Sequence, residues 1–260
     1  MKVGVTLRNM GPQSRPDNML GGARHAEQLG FDSVWITDHI AIPPDDAEGS
    51  GGRYTDPLTT LAWLAGSTTR IGLGAGVLVV PYRRPLPLAK AIATVHELSG
   101  ERLLLGLAVG WMAAEFRALG VPLKQRGALT ESFLEFFAQC FGDSHPVAND
   151  QAFIFDPKPA PPPVYLGGRP PPATARAARF GHGWLPMVDT PERLAPQLEG
   201  FTGPVTAMGR LPLEDLGAAQ GMLDRFAALG IERFVCAVRY ETLAEYQAQL
   251  DVLAMLEQPG

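Results

Sequence analysis

The stretch of residues 71–111 constrains the fold of this chain more than any other. Residues 71–81 (IGLGAGVLVVP) form an apolar run that is too short to cross a membrane and is bounded like a buried strand. Residues 86–98 carry apolar side chains at helical spacing, and residues 102–109 form a second apolar run. Two apolar strands joined by a helix are typical of a parallel β-α-β unit, because both faces of such a sheet are covered.

Small residues alternate along both strands of this unit. They are Gly72, Gly74 and Gly76 in the first strand and Gly106, Ala108 and Gly110 in the second. Alternate residues of a strand share one face, so each strand presents a stripe that is nearly free of side chains. Glycine weakens a strand and marks a place where another group approaches the backbone. Two interpretations are open: a flat ligand lies against these strands, or the small residues accommodate a closely packed helix or bulky neighbouring side chains.

Apolar runs and helical patterns alternate along the rest of the chain as well. Six further strands are predicted, at residues 3–8, 33–37, 163–166, 183–187, 204–208 and 234–238. Helices are predicted at 17–29, 57–67, 113–119, 126–141, 172–180, 190–198, 213–229 and 242–256, and residues 142–163 are predicted to be irregular because they are rich in proline. Eight strands that alternate with helices predict the α/β class and a (β/α)8 TIM barrel. The length of 260 residues suits one such domain, spanning 1–260.

Charge and composition exclude several kinds of protein. The net charge is −5 and the basic residues are scattered, which argues against a nucleic acid partner. Cys140 and Cys236 are predicted to be buried, reduced thiols. No run approaches the length of a membrane span, and the chain starts directly with a strand, so a cytoplasmic protein with no membrane partner is expected. The predicted strand ends carry no His, Asp and Glu cluster with metal-ligand spacing, which argues against a metal site and metal-assisted hydrolysis.

Asp38 and His39 follow the second predicted strand, and catalytic groups of such barrels lie at the C-terminal ends of the strands. Adjacent residues of an extended chain point in opposite directions, so these two do not form a catalytic pair with each other. The imidazole of His39 could exchange a proton with a substrate. The alternative is that Asp38 caps a turn while His39 bonds to the backbone.

Gly167, Gly168 and Arg169 follow the fifth predicted strand and precede a helix. Free amides there and the Arg169 guanidinium suit a phosphate group. The alternative is an ordinary turn that needs glycine for its dihedral angles. Trp111, at the end of the fourth strand, could form a wall for a flat ring, although tryptophan is also common at the edge of a core.

Three long segments carry a resemblance to a known family. They are AEQLGFDSVWITDH at 26–39, DPLTTLAWLAGSTTRIGLGAGVLVVPYRRPLPLAKAIATVHELSGERLLLGLAVGWMAAEFRALGVP at 56–122, and VYLGGRPPPATARAARFGHGWLP at 164–186. With these segments the chain resembles the bacterial luciferase-like monooxygenase family over nearly its whole length. It is most similar to the branch of F420-dependent oxidoreductases.

The resemblance implies a (β/α)8 barrel that binds coenzyme F420, which is favoured, or FMN at its C-terminal mouth. It implies that the cofactor ring rests on a bulge in the third strand, where the matching bond, Gly76–Val77, is a cis peptide. Asp38 matches a position near the cofactor, and His39 matches one over the reactive ring in some deazaflavin-dependent members. The ring-lining positions are matched by Val79, Val109, Gly110 and Trp111, and the phosphate site of the cofactor tail is matched by Gly167 and Gly168.

The sequence also departs from the family pattern. Residues 142–163 and the region between Trp184 and Val205 are short, so the active site is either open or completed by a partner subunit. Members that oxidise sugar phosphates carry an acidic residue where Trp111 stands here, which argues against that substrate class. Three prolines follow Arg169, which leaves fewer phosphate donors and gives Arg169 or Arg176 a larger share of the binding.

These inferences predict an F420- or FMN-dependent oxidoreductase that transfers hydride between the cofactor and a small organic substrate, with His39 as the candidate acid/base group. The second hypothesis is an FMN-dependent monooxygenase that activates oxygen. A flavin-binding barrel without catalysis is the third, and the shortened loops suggest it. The resemblance also implies a homodimer.

Overall fold

A computed structural model describes residues 1–47, 49–142 and 144–257. Within these residues the chain forms ten strands: β1 (Lys2–Thr6), β2 (Ser33–Ile36), β3 (Gly72–Val79), β4 (Leu103–Ala108), β5 (Val147–Ala148), β6 (Gln151–Ala152), β7 (Val164–Gly167), β8 (Gly183–Leu185), β9 (Thr206–Gly209) and β10 (Arg233–Cys236). The same residues form nine α-helices: α1 (Pro16–Gln28), α2 (Pro57–Ala65), α3 (Pro85–Leu98), α4 (Ala113–Ala118), α5 (Arg126–Phe141), α6 (Pro172–Phe180), α7 (Pro191–Leu194), α8 (Leu216–Ala228) and α9 (Leu243–Ala254).

Eight of the strands form one parallel sheet in the order β8-β7-β4-β3-β2-β1-β10-β9. The two end strands meet as well, because the Trp184 amide donates to the Pro204 carbonyl and the Met208 amide donates to the Pro186 carbonyl, both at 2.9 Å. The sheet therefore closes into a barrel. The main apolar cluster joins strand residues such as Val5 to helix residues such as Ala23, and so lies between the barrel and its helices. The predicted (β/α)8 barrel is confirmed.

All eight predicted barrel strands are present, but two other predictions need correction. The segment 142–163 is not wholly irregular, because β5 and β6 form a short antiparallel hairpin within it. The helix predicted at 213–229 begins only at Leu216, since the Asp215 side chain accepts a hydrogen bond from the Ala218 amide at 3.0 Å and caps the helix there.

The glycine stripe of β3 has a packing role inside the barrel. A Cβ atom on Gly74 would lie 2.2 Å from the indole ring of Trp35, and one on Gly76 would lie 2.7 Å from Cε of Met208. Trp35, on the neighbouring β2, is almost completely buried, and its indole N–H donates to the Ser33 hydroxyl at 2.8 Å. The interpretation that a flat ligand lies along this stripe is therefore wrong at Gly74 and Gly76, where the small residues accommodate the bulky side chains of Trp35 and Met208.

Both cysteines are free and buried, as predicted. Burial raises the pKa of Cys140 to about 11 and that of Cys236 to about 12, so both thiols stay protonated at neutral pH. Among the described residues, no helix combines the length and the apolar character that a membrane crossing requires.

Candidate active site

A bulge interrupts β3 where the resemblance predicts one. Ala75 pairs with Leu105 of β4, but the next β3 partner in register is Leu78, which pairs with Leu107. Three steps along β3 thus match two steps along β4, so β3 contains an extra residue. The Gly76–Val77 peptide bond within this bulge is cis, which confirms that expectation.

Asp38 fixes the strand on the far side of the bulge. Its Oδ2 accepts a hydrogen bond from the Val79 amide at 2.8 Å, and both of its oxygens accept from the Arg83 guanidinium, at 2.6 and 3.0 Å. Arg83 also donates to Asp56 at 2.8 Å. Burial opposes the charge on Arg83, but the bonds to the two carboxylates outweigh it and raise the pKa of the guanidinium. The carboxylate of Asp38 is fully buried, so it reaches the mouth of the barrel only through the backbone of Val79.

His39 points away from Asp38, as predicted for adjacent residues of an extended chain. Its Nδ1 lies 2.8 Å from Oε2 of Glu115, a residue of α4 that is completely buried. The same carboxylate accepts hydrogen bonds from the amides of Ile40 and Ala41 and from the Tyr82 hydroxyl. His39 is therefore neither bonded to backbone nor free to rotate, but held by a carboxylate beneath the mouth.

The Glu115 carboxylate is ionised at neutral pH. Burial alone would raise its pKa, but the hydrogen bonds from Ala41, Ile40, Tyr82 and His39 outweigh burial and lower the pKa below its ordinary value. The pKa of Tyr82 is raised, first by burial and then by its bond to Glu115, so this phenol stays a donor.

Aromatic rings lie on two sides of His39. The ring centroid of Tyr54 is 4.9 Å away, and that of Trp111 is 6.3 Å away with its plane nearly perpendicular to the imidazole. Within the described part of the chain, Nε2 of His39 has no hydrogen-bond partner, and the side chain is 20% exposed. This nitrogen is thus the one available to a ligand.

The C-terminal ends of β3 and β4 form a wall that other protein atoms cover only in part. Val77, Ala108, Val109 and Gly110 are all half-buried. Val79 lies behind the wall instead, where it is buried against Tyr82 and Phe116. Large exposed apolar side chains at neighbouring strand ends extend the apolar surface of the mouth: Ile40, Trp111 and Met187.

Gly167 and Gly168 lie beside this wall. A Cβ atom on Gly167 would lie 2.6 Å from a methyl group of Val77, so this glycine allows β7 to approach the bulge. Gly168 and Arg169 are exposed, and the Arg169 guanidinium has no partner among the described residues. Arg176 is already bonded to Glu131 at 3.0 Å, so Arg169 is the arginine available to an anion here.

Of the residues that the resemblance implies, His39, Val77, Val109, Gly110 and Trp111 lie at the C-terminal ends of the strands. Val79 and the Asp38 carboxylate are buried behind them. An apolar wall of half-buried residues, with an unpaired guanidinium beside it among the described residues, fits a flat ring that carries an anionic tail. Sequence analysis missed Tyr54, Tyr82 and Glu115. One signal for Glu115 was present: Met112, Phe116 and Leu119 form an apolar helical stripe, and Glu115 occupies its remaining inward position.

Known proteins resemble this chain in sequence and in fold. The model of the family described as luciferase-like monooxygenase matches residues 1–210. The F420-dependent hydroxymycolic acid dehydrogenase of Mycobacterium tuberculosis is 31% identical over 219 residues, which cover 81% of this chain and 59% of that protein. The chain therefore spans less than two thirds of the length of that relative.

Many solved structures share the fold, and two of them serve as examples. One is an F420-dependent secondary alcohol dehydrogenase in complex with an F420–acetone adduct, with a TM-score of 0.80 and 16% identity over 98% of this chain and 99% of that chain. The other is the FMN-bound oxygenating constituent of 3,6-diketocamphane monooxygenase from Pseudomonas putida, with a TM-score of 0.77 and 12% identity over 100% of this chain and 99% of that chain. Because the family model matches most of this chain, the chain belongs to the luciferase-like monooxygenase family.

Proposed function

We propose that this chain is an F420-dependent oxidoreductase that exchanges hydride between the cofactor and a small organic alcohol or carbonyl compound. The observation that carries the proposal is the position of His39. Its Nε2 is free at the mouth of the barrel, beside a half-covered wall at Val77 and Gly110. A proton-exchanging group next to a flat apolar surface is what a hydride-transfer site of this kind requires.

Coenzyme F420 is favoured over FMN because the dehydrogenase relative at 31% identity is F420-dependent by name. When bound, the deazaflavin supplies the hydride chemistry at its C5 carbon. Val77, Val109, Gly110 and Trp111 would line the ring. Gly76, whose Cα faces Met208, would contribute only its backbone. Gly167, Gly168 and Arg169 would hold the anionic tail, with Arg169 as the charged donor.

The protein residues orient the reaction and move one proton. Asp38 holds the Val79 amide and so fixes the bulge that forms the wall. His39 gives a proton to the substrate oxygen or takes one from it. Tyr54 and Trp111 flank His39 with aromatic surface, which favours an uncharged substrate with an apolar body over a sugar phosphate.

Replacing His39 tests the acid/base role. We expect His39→Ala to reduce F420-dependent oxidation of propan-2-ol, used as a probe alcohol, by at least about 100-fold, because general acid–base groups contribute that much or more. The affinity for F420 should change little, since His39 is proposed to act on the substrate. His145→Ala, at an exposed histidine outside the mouth, is the matched control and should keep full activity. Unchanged turnover in His39→Ala would refute the role.

An FMN-dependent monooxygenase is the second candidate, supported by the FMN-bound structure with the same fold. Substrate-dependent oxygen uptake with reduced FMN, and none with F420, would favour it. A binding barrel without catalysis is the third candidate, and it gains support if neither cofactor binds.

We further propose that residues 1–260 form one domain, that two chains associate as a homodimer and that the protein is cytoplasmic. Family membership supports the homodimer. Light scattering of the purified chain should give twice the mass of one chain, and a monomer would contradict the dimer.

A further inference from the structure

The buried carboxylate of Glu115 lies directly behind His39. We propose that Glu115 is a positioning residue that sets the tautomer of the His39 imidazole, with the proton on Nδ1, so that the lone pair of Nε2 faces the mouth. The use of this lone pair in catalysis rests on the proposed function. The tautomer itself does not, because it follows from contacts within the protein.

Three hydrogen-bond donors and one ring nitrogen of His39 converge on Glu115. Its Oε1 accepts from the amides of Ile40 and Ala41, at 2.5 and 2.9 Å. Its Oε2 accepts from the Tyr82 hydroxyl at 2.7 Å and lies 2.8 Å from Nδ1 of His39. The side chain has no exposed surface, so water does not compete for these bonds.

An ionised carboxylate can only accept hydrogen bonds. The two backbone amides can only donate, and they keep Oε1 unprotonated. Since the carboxylate is ionised, Oε2 is an acceptor as well, so Nδ1 of His39 must carry a hydrogen for its contact with Glu115 to be a hydrogen bond. In a neutral imidazole the other nitrogen, Nε2, is then unprotonated.

This arrangement defines the chemistry open to His39. With an alcohol bound there, Nε2 would take the proton of its O–H bond, and the hydride of the adjacent C–H bond would leave to oxidised F420, which would supply the acceptor chemistry. His39 becomes an imidazolium, and the charge of Glu115 balances it. In the reverse direction the imidazolium returns the proton to a carbonyl oxygen as hydride reaches its carbon.

A purely structural role for Glu115 is the competing explanation, because its bonds to Ile40 and Ala41 also hold the start of the loop after β2. The substitution Glu115→Gln separates the two roles. The new amide must keep its oxygen toward the backbone donors, so its NH2 group faces Nδ1 of His39 and the Tyr82 oxygen. Nδ1 must then accept, and the proton must move to Nε2.

Nitrogen-15 NMR of the histidine rings in the cofactor-free protein measures this directly at alkaline pH, where imidazoles are neutral. Spectra of His39→Gln identify the His39 signals among those of the five histidines. We expect the Nδ1–H form in the wild type and the Nε2–H form in Glu115→Gln. Tyr82→Phe is the matched control: it removes one donor to Glu115 but leaves the carboxylate, so the Nδ1–H form should remain.

The Nε2–H form in the wild-type spectrum would by itself overturn the proposal. The test of the tautomer therefore does not depend on whether Glu115→Gln folds. A folded Glu115→Gln protein that keeps the Nδ1–H form would also overturn it. In turnover, we expect Glu115→Gln to lower kcat for propan-2-ol oxidation by about 100-fold, with F420 affinity unchanged. If the wild type shows no turnover, the proposed function fails while the tautomer result still stands.

Discussion

At the scale of single residues, two neighbours with opposite orientations organise the site. The extended backbone after β2 predicts that Asp38 and His39 diverge, and they do: one bonds to Arg83 and the other to Glu115. The identity of the partners could not be predicted, because Glu115 is 76 residues beyond His39 in the chain and reaches it only after β4 and α4 are in place. Sequence patterns predict where a side chain points more readily than what it meets.

Arg83 provides a test of this residue-level arrangement. Removing the guanidinium with Arg83→Ala leaves the fully buried carboxylate of Asp38 without its cation. We expect the free energy of unfolding to fall by about 3–5 kcal/mol, because an unpaired buried charge is strongly destabilising. Urea unfolding measures this loss. The adjacent Arg84 is exposed and has no side-chain partner among the described residues, so Arg84→Ala should change the free energy by less than about 0.5 kcal/mol. Equal stabilities of the two variants would contradict the assignment.

At the scale of elements, the β3–β4 pair shows what a sequence stripe can and cannot indicate. The alternation of small residues indicated that something approaches the strands, and this was correct. The alternation could not identify the approaching group, because Trp35 comes from another strand and occupies the barrel interior beside Gly74. The bulge at Gly76–Val77 was predicted from the family resemblance, since periodicity alone does not predict an extra residue in a strand.

A contact between α1 and the residues just before β3 predicts that the stability of the protein depends on pH. Oε1 of Glu27 accepts from the amides of Thr69, Arg70 and Ile71, at 2.8, 2.6 and 3.0 Å. Burial opposes ionisation, but these bonds outweigh it and lower the pKa of Glu27 below its ordinary value of 4.5. A carboxyl whose pKa is lower in the folded state stabilises the fold above its unfolded pKa, and this stability is lost as pH falls through the folded pKa.

Glu27→Gln keeps an acceptor oxygen but removes the charge. We expect a loss of about 1 kcal/mol in the free energy of unfolding at neutral pH. The difference from the wild type should shrink as pH falls below the ordinary carboxyl pKa and vanish once Glu27 is protonated in the folded state. Urea unfolding over this pH range tests it. Glu97→Gln, at an exposed glutamate on α3, should show no such dependence, and parallel curves for wild type and Glu27→Gln would contradict the expectation.

At the scale of the whole molecule, the barrel follows from the alternation of eight apolar strands with helices. Each strand is local in sequence, so its pattern can be read directly, and closure of the sheet follows from the number of strands and their parallel order. The functional site is harder to predict because it depends on strand ends that are far apart in the chain. His39, Trp111 and Arg169 meet at one mouth only because parallel strands present all their C-terminal ends on the same side.

We propose that the wall formed by Val77 and residues 108–110 seats the planar ring of F420. Absorption titration of the purified chain with F420, and separately with FMN, tests it most directly. We expect saturable binding of F420, tighter than that of FMN and well below about 1 mM, which corresponds to about −4 kcal/mol. Ala108→Phe, which fills the wall, should weaken binding of F420 by at least about tenfold, a loss of about 1.4 kcal/mol. Leu98→Phe, on the exposed side of α3, should bind like the wild type. Failure of both cofactors to bind below about 1 mM, or equal F420 affinity of Ala108→Phe and the wild type, would contradict the account.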